Sequence, residues 1–523
     1  MSKPYNFPIW DGLVAHQQEN PISFHVPGHR NGQLFHIDGN SPNAFLNEAQ
    51  IKYLEALATL ACIDVTELAH TDDLHDPSGI IANAQTEAAN FFGAEHTFFL
   101  VGGSTAGNIA TLLALCERGD YVIVQRNVHK SVINGCKLAG VHVVFIAPLL
   151  DEETGYSYAP SLHTVEKAVK KYPQAKAVLL TNPNYYGMSI DLAEYSKLVH
   201  RYSIPLIVDE AHGAHYGLHP DMPSSALQAG ADVVIQSTHK TLPALTMSAM
   251  LHIQHARISK ERLQQQLAML ESSSPSYLLM ASLDLARGLM AQFGQGWIEQ
   301  SLHYRDCLIK WLIEQKHPLQ VEIYGDNNKP FIREDGENSH TIRFDPFRIL
   351  IYDTTNQLTG FELQQLLARH QIWAEMATLH HVVLVFHVGF TEHEYAHLIK
   401  RLKNVSEELI GQEQKALLTN HTTEIIRQSY SNASYYSEGI QISEPVWMDR
   451  AVSTDNIVVH LDESINEQSA EMIVPYPPGI PIIYEGEIIS SEIVKQIKRL
   501  QQAGARFQGS QHINEGKIKI LRR

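Results

Sequence analysis

The sequence predicts an α/β protein built on a mainly parallel β-sheet. Six short apolar runs carry that reading: Thr97–Val101, Tyr121–Gln125, Val141–Ile146, Ala177–Thr181, Pro205–Glu210 and Ala231–Ser237. Helical stretches such as Asn108–Cys116, Ser161–Lys171 and Leu192–Tyr202 lie between them. The runs are apolar nearly throughout rather than alternating, the pattern of strands covered on both faces. Binding groups in such sheets gather beyond the carboxyl ends of strands. The residues just after each run are therefore where chemistry is sought.

The elements order into an N-terminal arm (1–65), a large sheet domain (66–295), a small α/β domain (296–412), a linker (413–440) and a C-terminal α+β domain (441–523). One amphipathic helix, Asn43–Ala61, belongs to the arm, and a long helical stretch runs from Ser282 to Gln315. The small domain takes His340–Asp345, Arg348–Asp353 and Val382–Val388 as strands, with Glu362–His370 and Glu392–Lys403 as helices. Gln428–Gly439, rich in Ser, Tyr and Asn, reads as a surface connection. A last helix is expected over Ser491–Ala503.

Composition bounds the function. A chain of 523 residues, 44% apolar and 19% charged, can bury sizeable cores in two to four domains. The net charge of −17 (40 basic, 57 acidic) opposes nucleic-acid or anionic-membrane binding, which need basic patches. It suits cationic small molecules, and equally it is an ordinary aid to solubility. The four cysteines form no CxxC pair and suggest a reducing compartment. The start, MSKPYNFPIWDGLV, has no apolar signal region, and the uncharged run Thr97–Cys116 is broken by GGSTAGN. A soluble cytoplasmic protein is expected.

Four strand ends carry candidate chemistry. Gly102–Asn108 (GGSTAGN) offers backbone N–H groups, the hydroxyls of Ser104 and Thr105 and a helix start, which together can cradle a phosphate. His129 could stack on a planar ligand or be a solvated loop histidine. Asp209 ends a buried strand, where a carboxylate is costly unless a cation such as a protonated pyridine pairs with it; it could also cap the following turn. Lys240 follows Ser237-Thr238-His239, where desolvation can lower its pKa as a Schiff-base lysine needs, although a snorkelling surface lysine has the same look. Asp209 and Lys240 lie 31 residues apart, about one helix plus one strand, so both can border one crevice. Taken together, these are the functions that pyridoxal 5′-phosphate requires of its host.

Metal binding is the competing reading of His212, His215 and His219 (H-x2-H-x3-H). Gly217 and Pro220 imply a loop, and no carboxylate or cysteine motif accompanies the three, so no metal site is expected. His380 and His381 would face opposite sides of a strand.

The chain resembles the bacterial ornithine/lysine/arginine decarboxylases of the aspartate-aminotransferase fold type (fold type I). The shared motifs are Phe24–His29 (FHVPGH), GGSTAGN, Arg126–Ser131 (RNVHKS), Asp209–Gly213 (DEAHG), Ser237–Lys240 (STHK), Ser272–Tyr277 (SSSPSY) and Tyr476–Pro481 (YPPGIP). They extend over roughly residues 20–505, and the form most resembled is the short Bacillus-type arginine decarboxylase without an N-terminal wing. The resemblance implies that Lys240 holds pyridoxal phosphate as a Schiff base and Asp209 pairs with its ring nitrogen. It further implies that His129 stacks on the ring, that His212 lies under it, and that Ser104, Thr105, Ser237 and His239 hold the phosphate. Ser272 and Ser274 resemble the turn that reaches a neighbouring subunit's phosphate, which implies a homodimer. Glu487 matches the glutamate that meets the substrate's distal cation, although Glu485-Gly486-Glu487 stands where the family has Pro-Gly-Glu.

The implied reaction is decarboxylation of a basic amino acid, with arginine slightly favoured over lysine and ornithine, and with Lys240 or His239 returning the proton to Cα. An aminotransferase or aldolase of the same fold is the nearest alternative. No arginine-bearing strand motif suggests an anchor for a retained α-carboxylate. A catalytically silent regulator is the other alternative, opposed by the intact Lys240 and Asp209.

Overall fold

The computed structural model describes residues 6–36, 46–151, 156–314, 318–323, 331–335, 338–355, 357–416, 441–450, 455–476, 479–502 and 504–522. The apolar runs form strands β1 (His96–Leu100), β2 (Tyr121–Gln125), β3 (Val141–Ile146), β4 (Val178–Thr181), β6 (Leu206–Asp209) and β7 (Val233–Gln236). Two short elements join them, β5 (Met188–Ile190) and β8 (Ala249–Ile253). The main sheet has eight strands in the order β1, β8, β7, β6, β4, β2, β3 and, at the far edge, Val446–Met448. The strands from β7 through β3 pair in parallel, while β8 and Val446–Met448 run antiparallel to their neighbours. The fold is the mainly parallel α/β architecture read from the sequence.

The apolar runs are continuous because both faces of the sheet are covered. Val122, Val124, Leu179, Ile207 and Ile235 enter one buried cluster, and Ile123, Leu180, Val208 and Val234 enter the other. Successive residues of a strand point to opposite faces, so each strand needs apolar side chains at every position. The helix after β1, Gly103–Leu115, starts earlier than the expected Asn108, so most of GGSTAGN is its first turn. Its small residues allow close approach: a Cβ on Gly107 would meet Leu100 Cδ1 at 2.8 Å and Ile235 Cγ2 at 3.1 Å.

In the arm, the helix is Glu48–Ala61, with Asn47 and Gln50 forming a capping box. The long helix is Tyr277–Glu314. Arg348–Asp353 and Val382–Val385 share an antiparallel four-stranded sheet with Leu319–Val321 and Met376–Ala377. The run expected as a third small-domain strand belongs elsewhere: Asn338–Phe344 pairs with β5, Ile342 opposite Ile190. Periodicity cannot select a strand's partner, and here the partner is across the domain. Glu392–Ala416 continues well past Lys403 into the stretch read as linker, while Gln428–Gly439 lies outside the described residues. The C-terminal region holds the helix Ser491–Gln502 and a core of its own, including Leu461, Ile473, Ile483, Ile497 and Ile518. No helix among the described residues is long and apolar enough to cross a membrane.

Candidate active site

Because β2, β4, β6 and β7 are parallel neighbours, their carboxyl ends share one edge, with Thr181, Asp209 and Ile235 in register across three strands. The segments that follow converge on one cleft. Its walls include Ser104, Asn127, His129, Tyr185, Asp209, His212 and Lys240, with Ile480 contributed by the C-terminal region.

Asp209 is 3% exposed. One carboxylate oxygen accepts from Asn108 Nδ2 at 3.0 Å and the other from the Ala211 N–H at 3.2 Å. Both donors are neutral, so a nearly buried negative charge faces the cleft without a cation in hydrogen-bond contact among the described residues. Asn108 also donates to Ser131 Oγ at 2.9 Å, which joins Asp209 to the His129 segment.

His129 caps the helix Lys130–Ala139, its Nδ1 accepting the Ser131 N–H at 3.2 Å. Nδ1 is thus an acceptor, and the ring proton of the neutral form sits on Nε2. Burial pushes the pKa of His129 down to about 4; Asp209 opposes this, while Lys240 and Lys130 add to it. The ring is therefore neutral near pH 7 and can lie against a protonated heterocycle without like-charge repulsion.

Lys240 Nζ lies 2.9 Å from His212 Nε2 and 5.5 Å from the centre of the Tyr185 ring. Burial lowers the Lys240 pKa, opposed by Asp209 and Glu375 and assisted by Arg348. Burial likewise holds His212 well below the ordinary histidine range, with Lys240 and Arg348 acting in the same direction. At the other end of the cleft, Ser104 Oγ and Ser237 Oγ stand 2.6 Å apart beside the start of the Gly103–Leu115 helix. Thr238 Oγ1 is buried there without a hydrogen-bond partner among the described residues. Two hydroxyls, a helix N-terminus, an uncompensated carboxylate, a neutral imidazole and a desolvated amine fit the phosphate, ring nitrogen, ring face and aldehyde of pyridoxal phosphate.

The structure brings Ser104, His129, Asp209, His212, Ser237 and Lys240 together. The remaining expected groups have the following positions. Thr105 is exposed on the helix's first turn, and His239 Nδ1 donates to the Ser248 carbonyl at 2.9 Å. Ser272 and Ser274 are exposed, and the Ser272 carbonyl is 2.8 Å from His75 Nε2. Glu487, expected to meet the substrate's distal cation, is paired within the chain. Its Oε2 accepts from Arg126 Nη2 at 2.7 Å and from the Tyr484 N–H at 2.7 Å. The Arg126 guanidinium lies 3.9 Å from the Tyr484 ring centre, so the pair fastens the C-terminal region to the loop after β2. In the FHVPGH segment, Phe24 is 98% exposed and His29 Nε2 is 3.2 Å from Asp64, away from the cleft lining. Of the three spaced histidines, His212 meets Lys240 and Arg348 while His215 meets Asp345 at 2.9 Å.

Sequence reasoning missed four residues. Asn108 lies inside the GGSTAGN turn signal, and Tyr185 follows β4 in a segment, Asn182–Tyr185, that carries no charged side chain. Glu375 precedes the strand Met376–Ala377, and its charge acts on Lys240, His239 and Tyr185. Arg348, the first residue of its strand, reaches His212 Nδ1 at 3.1 Å, so a strand arginine does enter the site. An arginine opening an apolar run was the available signal.

The Orn/Lys/Arg decarboxylase major-domain family matches residues 7–394, and the C-terminal domain of the same family matches residues 440–520. The chain is 32% identical over 522 residues to an arginine decarboxylase of Bacillus subtilis (strain 168), covering 98% of each chain. It is 36% identical over 518 residues to the uncharacterized protein YaaO of the same organism, again covering 98% of each. The crystal structure of the Francisella novicida lysine decarboxylase LdcF superposes with a TM-score of 0.78 at 20% identity, covering 99% of this chain and 81% of that one. With both family domains spanned and side chains that fit the cofactor's functional groups gathered at one cleft, the chain belongs to the Orn/Lys/Arg decarboxylases, pyridoxal-phosphate-dependent enzymes of fold type I.

Proposed function

We propose that the protein decarboxylates arginine, releasing CO2 and agmatine, with lysine and ornithine as poorer substrates. The observation that carries the chemistry is the convergence of Lys240, Asp209 and His129 on one cleft. Support for arginine comes from the full-length relatives named arginine decarboxylase, at 32% identity in Bacillus subtilis and in Bacillus anthracis.

When bound, pyridoxal phosphate supplies an aldehyde that condenses with amines and a ring that accepts the electron pair left as a Cα bond breaks. The protein's part is orientation and charge. Ser104 and Ser237 would hold the phosphate, and Lys240 would be the amine that binds the aldehyde. Asp209, steadied by Asn108, would keep a proton on the ring nitrogen, and neutral His129 would cover the ring face. The cleft strips water from the substrate carboxylate and so favours its loss. Lys240 or His239 then delivers a proton to Cα. Glu375 takes the role expected of Glu487 and faces the distal cation: its field reaches Lys240 and His239, whereas Glu487 is occupied by Arg126.

The active unit is a homodimer in the cytoplasm. Ile22, Phe24, Val26, Leu34, Tyr53 and Leu60 are exposed apolar side chains of the arm, an apolar surface of the kind that marks an interaction site. All four cysteines are free, as a reducing compartment requires. Incubation with arginine, lysine and ornithine plus pyridoxal phosphate, followed by mass detection of agmatine, cadaverine and putrescine, tests the assignment. Agmatine should dominate. A keto acid in place of any amine would establish an aminotransferase, and no product from any of the three would favour a silent regulator.

A further inference from the structure

The contacts of His212 impose a constraint on its neighbour's proton. Arg348 Nη2 lies 3.1 Å from His212 Nδ1, and Lys240 Nζ lies 2.9 Å from His212 Nε2. A guanidinium has donors only and stays charged, so Nδ1 must accept. A neutral imidazole then has its one proton on Nε2. That proton points at Lys240, and the 2.9 Å contact is favourable only if Nζ presents a lone pair. An ammonium at Lys240 would set N–H against N–H, or would force Nδ1–H against the guanidinium.

We propose that Arg348 is a positioning residue that locks His212 in its Nε2–H tautomer, so that His212 donates to Lys240 Nζ and holds that amine unprotonated for attack on the cofactor aldehyde. The attack uses the Nζ lone pair to form the C=N bond, and the aldehyde oxygen leaves as water. The inference rests on Lys240 being the cofactor-bearing lysine.

The surroundings favour the lock. The Arg348 side chain is 2% exposed, and its Nη1 lies 4.0 Å from Asp345 Oδ2, so its charge has a buried counter-charge without a competing bidentate pair. Asp345 is itself held by His215 Nε2 at 2.9 Å and by the Phe347 N–H at 2.9 Å. Gly187, at φ +88°, lets the chain before β5 pass directly over Arg348, where a Cβ would meet Arg348 Cγ at 2.7 Å. The guanidinium is thus confined between the small-domain strand and this turn. The charged and titratable groups facing Lys240 and His212 include Asp209, Glu375, Arg348, His129, His239 and Tyr185. The two carboxylates would stabilise an ammonium, and the Arg348–His212 contact works against them.

Two measurements on the apoenzyme test this. Neutron diffraction from deuterium-exchanged crystals should place deuterium on His212 Nε2, none on Nδ1 and two on Lys240 Nζ. Deuterium on Nδ1, or three on Nζ, would overturn the lock. Reductive methylation with formaldehyde and cyanoborohydride, followed at the Lys240 peptide by mass spectrometry, reads the free-base amine as a function of pH. Arg348→Met should raise the labelling midpoint by about one pH unit, so that labelling at neutral pH is about tenfold slower. Arg348→Lys, which retains a donor-only cation, should stay near wild type. An Arg348→Met protein that keeps the wild-type labelling midpoint would refute the proposal. Neither readout involves turnover, so failure to release CO2 would count against the decarboxylase reading and leave the proton assignment standing.

Discussion

Replacing Asp209 with Asn tests the centre of the catalytic arrangement. The carboxylate is nearly buried and is held by two neutral donors, Asn108 Nδ2 at 3.0 Å and the Ala211 N–H at 3.2 Å. An amide of the same shape can keep one acceptor contact but carries no charge, and its NH2 must face either Asn108 Nδ2 or the Ala211 N–H. A hydrogen bond to an ionised partner contributes about 1.5–3 kcal/mol against about 1 for a neutral one. Losing the charge that keeps the ring protonated adds to that difference. A combined loss of about 2–3 kcal/mol corresponds to about a 30- to 150-fold lower kcat. The assay is 14CO2 release from carboxyl-labelled arginine at saturating substrate and cofactor, with a thermal melt to establish that the variant is folded. Asn108→Ala, which removes a hydrogen bond to the carboxylate worth about 1.5 kcal/mol or more and a second one to Ser131 Oγ, should cost about tenfold or more. A folded Asp209→Asn enzyme within threefold of wild type would refute the role assigned to the carboxylate.

Three further outcomes follow from the same geometry. The His129 pKa lies near 4 in the folded protein against about 6.5 in the unfolded chain, so the unfolded state binds the extra proton first as pH falls. The apoenzyme should lose on the order of 3 kcal/mol from this group between pH 6.5 and about 4, and His129→Phe should flatten that part of the urea-unfolding pH profile. Gly187→Ala places a Cβ 2.7 Å from Arg348 Cγ at a left-handed φ of +88°, and should lower stability by about 2 kcal/mol in the same unfolding assay. Glu487→Gln should weaken the attachment of the C-terminal region by about 2 kcal/mol, seen as earlier proteolysis there, while KM for arginine stays within about twofold; a tenfold rise in KM would return Glu487 to the substrate.

The sequence by itself determined six of the main sheet's eight strands and the residues that follow them at the catalytic edge; β8 and Val446–Met448 emerged only in the structure. Strands buried on both faces need apolar side chains at every position, so the runs ending at Gln125, Thr181 and Asp209 were legible without a partner, and the polar residues directly beyond them could only lie at the carboxyl edge. His129, Asp209 and Lys240 were found in this way. What lay beyond local periodicity was decided by the tertiary structure. Asn338–Phe344 pairs with β5 because its apolar positions are satisfied there, and no pattern within it names that partner. Glu487 carries the family's glutamate, yet a nearby guanidinium and a backbone N–H take up its charge. Arg348 lies 136 residues beyond His212 in the chain, and only the tertiary packing of the strand Arg348–Asp353 beside the segment after β6 brings them to 3.1 Å. Which nitrogen of His212 carries the proton, and hence whether Lys240 can act as a nucleophile, depends on that single long-range contact.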